Sequence, residues 1–129
     1  MTTDQRYSRK REAIRQELTR SKDHPGAETL YARLKPQFPD LSLGTVYRNL
    51  TAFLEERQIL RVATVDGVER FDADLHPHAH FVCEKCGSVT DVEYALPPEN
   101  VPSELPGVLR TYAITYYGVC HRCQSSQEE

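Results

Sequence analysis

Four cysteines in two Cys-x-x-Cys pairs constrain the fold of this chain more than any other sequence feature. Cys83 and Cys86 form the first pair, Cys120 and Cys123 form the second, and 33 residues separate the pairs. A Cys-x-x-Cys turn lets two thiolates converge on one tetrahedral ion about 2.3 Å away, so two such pairs are typical of a four-cysteine zinc site. A thioredoxin-like redox pair is the rival interpretation for either pair alone. Because four thiolates close the coordination sphere, we predict a structural Zn(II) ion that joins the first and last strands of the C-terminal half.

Three histidines lie immediately before the first cysteine pair, in the segment HPHAHFVCEKCG of residues 76–87. His78 and His80 are two positions apart on a predicted strand, so their rings share one face. Nitrogen and carboxylate ligands without thiolates suit Fe(II), Mn(II) or Zn(II). By spacing alone, His24 before Pro25 is more typical of a helix cap or a surface residue. The candidate ligands outside the cysteines are His24, Asp72, Asp74, His76, His78, His80 and Asp91.

The N-terminal half has the pattern of three helices. Apolar residues recur at helical spacing among charged neighbours in residues 8–21, and a second helix begins near HPGAETLYARL, with Pro25 suited to its first position. The third helix falls within residues 41–60, with Ser42 as its predicted N-cap. Its predicted core face carries Val46, Leu50, Phe53 and Leu54, and its opposite face carries Thr45, Tyr47, Arg48 and Asn49.

A β-hairpin follows the helices in residues 59–72, where Asp66-Gly67 is a residue pair favoured in tight turns. Three helices and a hairpin in this order predict a winged helix-turn-helix, whose third helix enters the major groove of DNA. We expect Tyr47 and Arg48 to contact bases or phosphates, with Ser42 and Thr45 as secondary candidates.

The charge distribution divides the chain. Residues 1–72 carry 13 basic and 11 acidic side chains, whereas residues 73–129 carry 3 and 8. The first 22 residues hold 7 basic and 3 acidic side chains. This asymmetry favours a basic front half that meets phosphate, although solvated surface charge is the alternative. The candidate phosphate contacts near the N-terminus are Arg6, Arg9, Lys10 and Arg11.

The sequence of the C-terminal half predicts strands on either side of the cysteine turns. We predict strands on both sides of the turn at Gly87, room for a short helix in the proline-rich residues 95–107, a strand over residues 108–120, and a disordered tail, QSSQEE. No apolar run approaches the roughly 20 residues of a membrane span, and the N-terminus lacks the apolar region of a secretory signal. We therefore expect a cytoplasmic protein without a membrane partner.

Several motifs in this order resemble the ferric uptake regulator superfamily of bacterial metal-dependent repressors. They span residues 6–123 and are HPGAETLYARL, LSLGTVYRNL, ERFD, HPHAHFVCEKCG, Asp91 and YYGVCHRC. The resemblance implies an α+β fold, with a winged-helix DNA-binding domain over residues 1–73 and an α/β dimerisation and metal-binding domain over residues 74–129. It also implies a homodimer that binds a double-stranded operator with an inverted repeat.

The family's regulatory site carries over onto five residues of this chain. Glutamates stand at the positions of Asp72 and Asp91 in iron-uptake regulators, and aspartates stand there in the peroxide-sensing branch, which this chain resembles. An additional site of the family is not expected, because its ligand positions hold Ala79 and Tyr112 here. The implied regulatory ligands, for Fe(II) or Mn(II), are His24, Asp72, His78, His80 and Asp91.

The resemblance implies a sensing reaction in which Fe(II) and hydrogen peroxide oxidise a ligand histidine, His24 or His78, and repression ends. Family members usually begin with an extra helix before the segment matched by RYSRKREAIRQEL, and about five residues precede that segment here. The basic cluster formed by Arg6, Arg9, Lys10 and Arg11 is our candidate to compensate.

Three other functions fit parts of the sequence. An iron- or manganese-responsive uptake repressor needs no peroxide chemistry. A zinc hydrolase could use His78, His80 and an aspartate with Asp91 or Glu93 as base, but the sequence lacks a His-Glu-x-x-His motif. A structural zinc module that binds protein partners is the third. We expect no enzymatic turnover.

Overall fold

The computed structural model describes residues 3–76, 78–93, 102, 104–110 and 112–127. Contacts divide the chain into two compact units, Met1–Leu75 and His76–Glu129. The first unit contains three helices and a hairpin. These elements are α1 (Thr3–Arg20), α2 (Ala27–Leu34), α3 (Leu43–Glu55), β1 (Leu60–Val65) and β2 (Val68–Asp72).

The core of the first unit forms where the apolar faces of the helices meet the hairpin. Helix α1 contributes Ile14 and Leu18, one turn apart, and strand β2 contributes Phe71. Burial of such side chains is worth about 1.5–3 kcal/mol each, before the entropy cost of ordering them. The remaining core residues are Ala27, Leu30, Leu34, Phe38, Leu41, Val46, Leu50, Phe53 and Ile59.

Helix α3 has well-defined ends. Ser42 is its N-cap, as predicted, and the Ser42 hydroxyl accepts a hydrogen bond from the Thr45 N–H at 3.1 Å. At the other end Arg57 adopts a φ of 59°, and the Gln58 N–H donates to the Phe53 carbonyl at 2.8 Å. This Schellman-type arrangement stops the helix and directs the chain into β1.

Strands β1 and β2 pair in antiparallel register and form the predicted hairpin, with Val65 opposite Val68. Asp66 and Gly67 have φ values of 51° and 78°, which is the left-handed backbone of a two-residue type I′ turn. The three helices and this hairpin make the first unit a winged helix-turn-helix, so the predicted architecture is confirmed.

The second unit is built on a three-stranded sheet with the order β4-β3-β5. Strand β3 is central, antiparallel to β4 and parallel to β5. Four of its five residues are buried, as expected for a strand covered on both faces. The elements are β3 (Ala79–Cys83), β4 (Val89–Val92), β5 (Thr115–Gly118) and α4 (His121–Gln127).

Four sequence-based predictions about elements were wrong. Helix α1 begins at Thr3 rather than near residue 8. Gly26 is the N-cap of α2, so Pro25 precedes the cap instead of occupying the first helical position. Within the predicted strand of residues 108–120, the described part is extended in the sheet only over Thr115–Gly118. The tail was predicted to be disordered, yet α4 continues through residue 127.

Asn49 is a further correction, because it was placed on the exposed face of α3 and is fully buried. Its side-chain N–H donates to the Thr45 carbonyl at 2.9 Å, which lowers the cost of burying the amide. The predicted short helix in residues 95–107 lies largely outside the described residues. No helix in the described part of the chain combines the length and apolar character needed to cross a membrane.

Candidate functional site

The four cysteines converge at one end of the second unit. Cys83 is the last residue of β3, and its partner in the parallel β5 strand is Gly118, two residues before Cys120. Cys123 lies in the first turn of α4. Parallel pairing of two distant strands therefore brings the two Cys-x-x-Cys turns together. All four Sγ atoms lie within 4.8 Å of one another.

Backbone N–H groups surround the Cys83 sulfur. The N–H of Cys86 lies 3.4 Å from it and the N–H of Cys120 lies 3.3 Å from it. The turn between the two cysteines of the first pair closes through the Gly87 N–H, which donates to the Cys83 carbonyl at 2.9 Å. Gly87 has a φ of 76°, a conformation that glycine adopts without steric cost. The N–H groups of Cys86 and Cys120 stabilise the thiolate form of Cys83, which is the form that binds zinc.

The thiol pKa values diverge within this cluster. Hydrogen bonds from Ser88 lower the pKa of Cys86 to about 6. The N–H groups of Cys120 and Cys86 lower the pKa of Cys83. The neighbouring Cys120 sulfur and burial raise the pKa of Cys123 to about 12. Adjacent sulfurs cannot all carry negative charge without a cation, so the donor set fits a closed four-thiolate Zn(II) site.

A second donor group lies on the β3–β4 ladder of the same unit. His80 pairs directly with Asp91 in the antiparallel register. The Nε2 atoms of His78 and His80 lie 3.2 Å and 3.3 Å from the same Asp91 oxygen. The two rings are 4.5 Å apart between centroids. Only His80 belongs to the strand on which both were predicted, because β3 begins at Ala79 and His78 lies one residue before it.

The surroundings of Nδ1 determine the tautomer of His78. Nδ1 lies 2.6 Å from the His76 carbonyl, which can only accept, so Nδ1 carries the proton. In a neutral ring the Nε2 lone pair then points toward His80 and Asp91, which is the form that binds a metal. Two imidazole nitrogens and one carboxylate oxygen fit a divalent ion of the Fe(II), Mn(II) or Zn(II) class.

A third donor pair lies in the first unit. His24 Nδ1 is 3.5 Å from an Asp72 carboxylate oxygen, and both side chains are almost completely buried. Asp72 is the last residue of β2, and its other oxygen accepts from the Asp74 N–H at 2.8 Å. A cap or surface role, the sequence's alternative for His24, does not explain this burial beside a carboxylate.

The exposed face of α3 carries the residues predicted to read DNA. Tyr47 is half exposed, and the Arg48 guanidinium donates to the Thr45 hydroxyl at 3.0 Å. That hydroxyl also lies 2.9 Å from the Ser42 hydroxyl. Arg48 is therefore held over the first turn of the helix, the part that a winged helix-turn-helix directs at base edges.

The basic cluster on α1 is partly engaged within the protein. Lys10 pairs with Asp40 at 2.9 Å, and Arg11 pairs with Glu56 at 2.7 Å. Salt bridges of this exposed kind are worth under about 1 kcal/mol, so either cation can exchange its partner for a phosphate. Arg6, Arg9 and Lys10 line a surface groove of ≈ 290 Å³ together with residues 37–40.

A family model, described as the ferric uptake regulator family, matches residues 2–101. The chain belongs to the ferric uptake regulator family. This chain is similar to the peroxide-responsive repressor PerR of Staphylococcus aureus (strain USA300). PerR is 35% identical over 124 residues, which cover 92% of this chain and 82% of that protein. As a member of the family, the chain is a metal-responsive transcriptional regulator.

Two solved structures share its fold. The peroxide stress regulator of Campylobacter jejuni has a TM-score of 0.76 at 24% identity and covers 95% of this chain and 100% of that one. The Helicobacter pylori ferric uptake regulator Fur, described as having three functional metal binding sites, has a TM-score of 0.74 at 24% identity, over 90% and 80% of the two chains. The winged helix-turn-helix followed by a small sheet is therefore the family architecture.

Sequence reasoning missed two residues that support these sites. Ser88 lies beside the Cys86 sulfur at 3.2 Å. Arg70 donates to the backbone around His24. Arg70 stands two positions before Asp72 on one strand, so its place on the same face was available from the alternation of a strand. The same alternation could not identify its partner, His24, which lies 46 residues earlier in the chain.

Proposed function

We propose that this regulator is a DNA-binding repressor that requires Fe(II) or Mn(II) and loses repression when hydrogen peroxide oxidises a ligand histidine. The observation that carries the proposal is the convergence of His78, His80 and Asp91, with both ring nitrogens within 3.3 Å of one carboxylate oxygen. The absence of thiolates from this group favours a redox-active or hard divalent ion over a structural zinc.

The proposed ligand set has two parts. His24 and Asp72 form a buried pair in the first unit, and His78, His80 and Asp91 form a group in the second. We propose that all five bind one regulatory ion, as the family resemblance implies. The four cysteines, Cys83, Cys86, Cys120 and Cys123, then hold Zn(II) in a structural role.

The two aspartates support the peroxide-sensing branch. Aspartate stands at both carboxylate positions, Asp72 and Asp91, and a relative named for its response to peroxide is 35% identical. Bound Fe(II) supplies the redox chemistry. The net reaction adds one oxygen atom of hydrogen peroxide to an imidazole carbon of His24 or His78 and releases one water, so the ring is oxidised and the peroxide is reduced by two electrons each. An oxidised ring is a poor ligand, and metal is lost.

Metal controls DNA binding through linkage. A metal that binds the DNA-competent arrangement more tightly shifts the population toward it, and the shift equals that difference in affinity. In a homodimer, two copies of α3 read two half-sites of an inverted repeat. Among the described residues, β5 lies at one end of its sheet, and its exposed Tyr116 and Tyr117 are our candidates for the homodimer interface.

The peroxide proposal is tested by peptide mass spectrometry. Trypsin releases His24 in the peptide of residues 23–33 and His78 in that of residues 71–85. Protein loaded with Fe(II) receives a near-stoichiometric pulse of hydrogen peroxide, and a parallel sample is loaded with Mn(II). Cys83 shares the second peptide, so alkylation and fragment ions must assign the oxygen. The tryptic peptide with His121, outside the ligand set, is the internal control.

One added oxygen on His24 or His78 in the iron sample alone supports the proposal. Unmodified histidines in a protein that still binds DNA with Fe(II) or Mn(II) would assign it instead to the iron- or manganese-responsive uptake repressors. Failure to bind DNA with any of these metals would favour a structural zinc module.

DNA binding is tested on duplexes selected from a random pool by the Mn(II)-loaded protein. We expect Arg48→Ala to weaken binding by about 1–3 kcal/mol, roughly 5- to 150-fold, and to relax sequence preference. The matched control is Arg110→Ala, which removes the same charge from an exposed position in the second unit. Equal loss in both variants would mean that Arg48 contributes only net charge.

A further inference from the structure

An arginine on the hairpin holds the backbone that carries His24. We infer that Arg70 is a positioning residue for the metal ligand His24, so that the ligand is fixed by strand β2 rather than by the helices beside it in sequence. This inference rests on the proposed function, because it assumes that His24 binds the regulatory ion.

The guanidinium group of Arg70 spans two consecutive carbonyl groups. Its Nε donates to the carbonyl of His24, and its Nη2 donates to the carbonyl of Asp23 at 2.7 Å. The planar fork of arginine suits two neighbouring acceptors, which the single ammonium group of lysine cannot match. Asp23 is held a second time, because the Arg33 guanidinium on α2 pairs with its carboxylate.

The conformation of His24 explains why such support is needed. His24 has a φ of 50°, in the left-handed region where residues other than glycine are uncommon. A backbone of this kind persists when its surroundings over-determine it. Two charge-assisted hydrogen bonds from Arg70 to the flanking carbonyls provide that constraint.

Close packing supports the same contact on the other side of His24. A Cβ atom added at Gly26 would lie 2.6 Å from Val68 Cγ1 and 2.8 Å from the Glu69 carbonyl oxygen. The Phe71 N–H also lies 3.4 Å from the Pro25 carbonyl. The segment 23–26 therefore lies directly on β2, and only a glycine fits at position 26.

Two residues of strand β2, Arg70 and Asp72, therefore contact His24. Asp72 stands two positions after Arg70, so both side chains leave the same face of the strand. Asp72 reaches the ring of His24 at 3.5 Å while Arg70 holds its backbone. Supporting residues of this kind orient a ligand and typically change metal affinity 10- to 100-fold when removed.

The test compares Arg70→Gln with Arg61→Gln in the full-length protein. Arg61 is the matched control, because it lies on the same hairpin and pairs with Glu69 across the strands at 3.0 Å. Two quantities are measured: the affinity for Mn(II) by calorimetric titration, and the partition of added oxygen between His24 and His78 after Fe(II) and peroxide. Zinc content reports the integrity of the second unit.

We expect Arg70→Gln to lower Mn(II) affinity at least about 10-fold and to reduce the share of oxygen on His24 relative to His78, and Arg61→Gln to change neither. Arg70→Lys keeps one charged donor, so its Mn(II) affinity and its share of oxygen on His24 should lie between those of Arg70→Gln and the wild type. If Arg70→Gln does not fold, Arg70→Lys replaces it in the test. Wild-type affinity and partition in Arg70→Gln or, if that variant does not fold, in Arg70→Lys would overturn the inference.

His24→Ala separates the two proposals. If His24→Ala binds Mn(II) as tightly as the wild type, His24 is not a ligand and the proposed regulatory site is wrong. If His24→Ala weakens binding while Arg70→Gln does not, the site stands and the positioning role of Arg70 is wrong.

Discussion

Cys86 and Cys120 are 34 positions apart in the sequence, yet their sulfur atoms lie 3.9 Å apart. Four sulfurs at the corners of a tetrahedron with 2.3 Å metal bonds are separated by roughly 3.8 Å. The pairing of β3 with β5 therefore places these two thiols at a separation that suits one shared zinc ion, and neither turn achieves this by itself.

Loss of one thiol from this cluster should release the zinc. We expect Cys120→Ser to lose most of its zinc, measured by elemental mass spectrometry, and to lower the melting temperature of the second unit by at least about 10 °C, since structural zinc contributes directly to folding. The matched control is Ser125→Ala in α4, whose hydroxyl bonds only within the helix to the His121 carbonyl among the contacts described. Full zinc content in Cys120→Ser would contradict a four-thiolate site.

The metal-free cysteines should differ in reactivity with pH. The pKa of Cys86 is about 6 and that of Cys123 is about 12, against an ordinary value of 9.0. Since the thiolate is the nucleophile, iodoacetamide should label Cys86 first at pH 7 and Cys123 last. Labelling of each site over pH 5–9 is followed by mass spectrometry. Uniform labelling of the four cysteines would show that the hydrogen bonds of Ser88 do not activate Cys86.

The same pKa values give the sign of the stability change in the metal-free protein. The folded-state pKa of Cys86 lies below its ordinary value, so its ionisation stabilises the fold above about pH 9. This contribution falls as the pH drops toward about 6. Cys123 has a raised pKa, so its neutral thiol favours the fold at low pH and the benefit is lost as the pH rises through about 12.

Asp91 should be required for binding of the regulatory metal. Its carboxylate lies within 3.3 Å of both His78 and His80, so we expect Asp91→Asn to weaken Mn(II) binding by at least about 10-fold in a calorimetric titration. Glu93→Gln, two residues further and exposed, is the matched control and should bind as the wild type does. An equal effect of both substitutions would indicate general electrostatic attraction instead of ligation.

A substitution in the core of the first unit should lower its free energy of unfolding without changing the zinc content. Leu50 is 2% exposed, and Leu50→Ala leaves a cavity that we expect to cost about 2–5 kcal/mol in urea unfolding. Leu60→Ala, at a position that is 41% exposed, removes the same atoms and should cost much less. Zinc content should not change in either variant, because the cysteines lie in the other unit. Loss of zinc in Leu50→Ala would show that the two units do not fold independently.

Local features were the most accessible to sequence reasoning. Ser42 caps α3 and Asp66-Gly67 forms the hairpin turn, as predicted, because each is decided by hydrogen bonds and backbone angles within four residues. The error at Pro25 is also local, since the helix begins at Ala27, two residues later than predicted. The burial of Asn49 was missed because helical periodicity reports where a residue points but not whether a backbone carbonyl satisfies a polar side chain there.

Sequence reasoning alone identified the two cysteine turns, the closely spaced His78 and His80, the order of three helices and a hairpin and, through the resemblance, the family. These depend on spacing over a few residues or on motif order. The folded structure was needed to see that Cys86 meets Cys120, that Asp91 lies opposite His80, and that Arg70 holds the backbone of His24. Such contacts join residues up to 46 positions apart, and they form only when strand register and core packing bring the segments together.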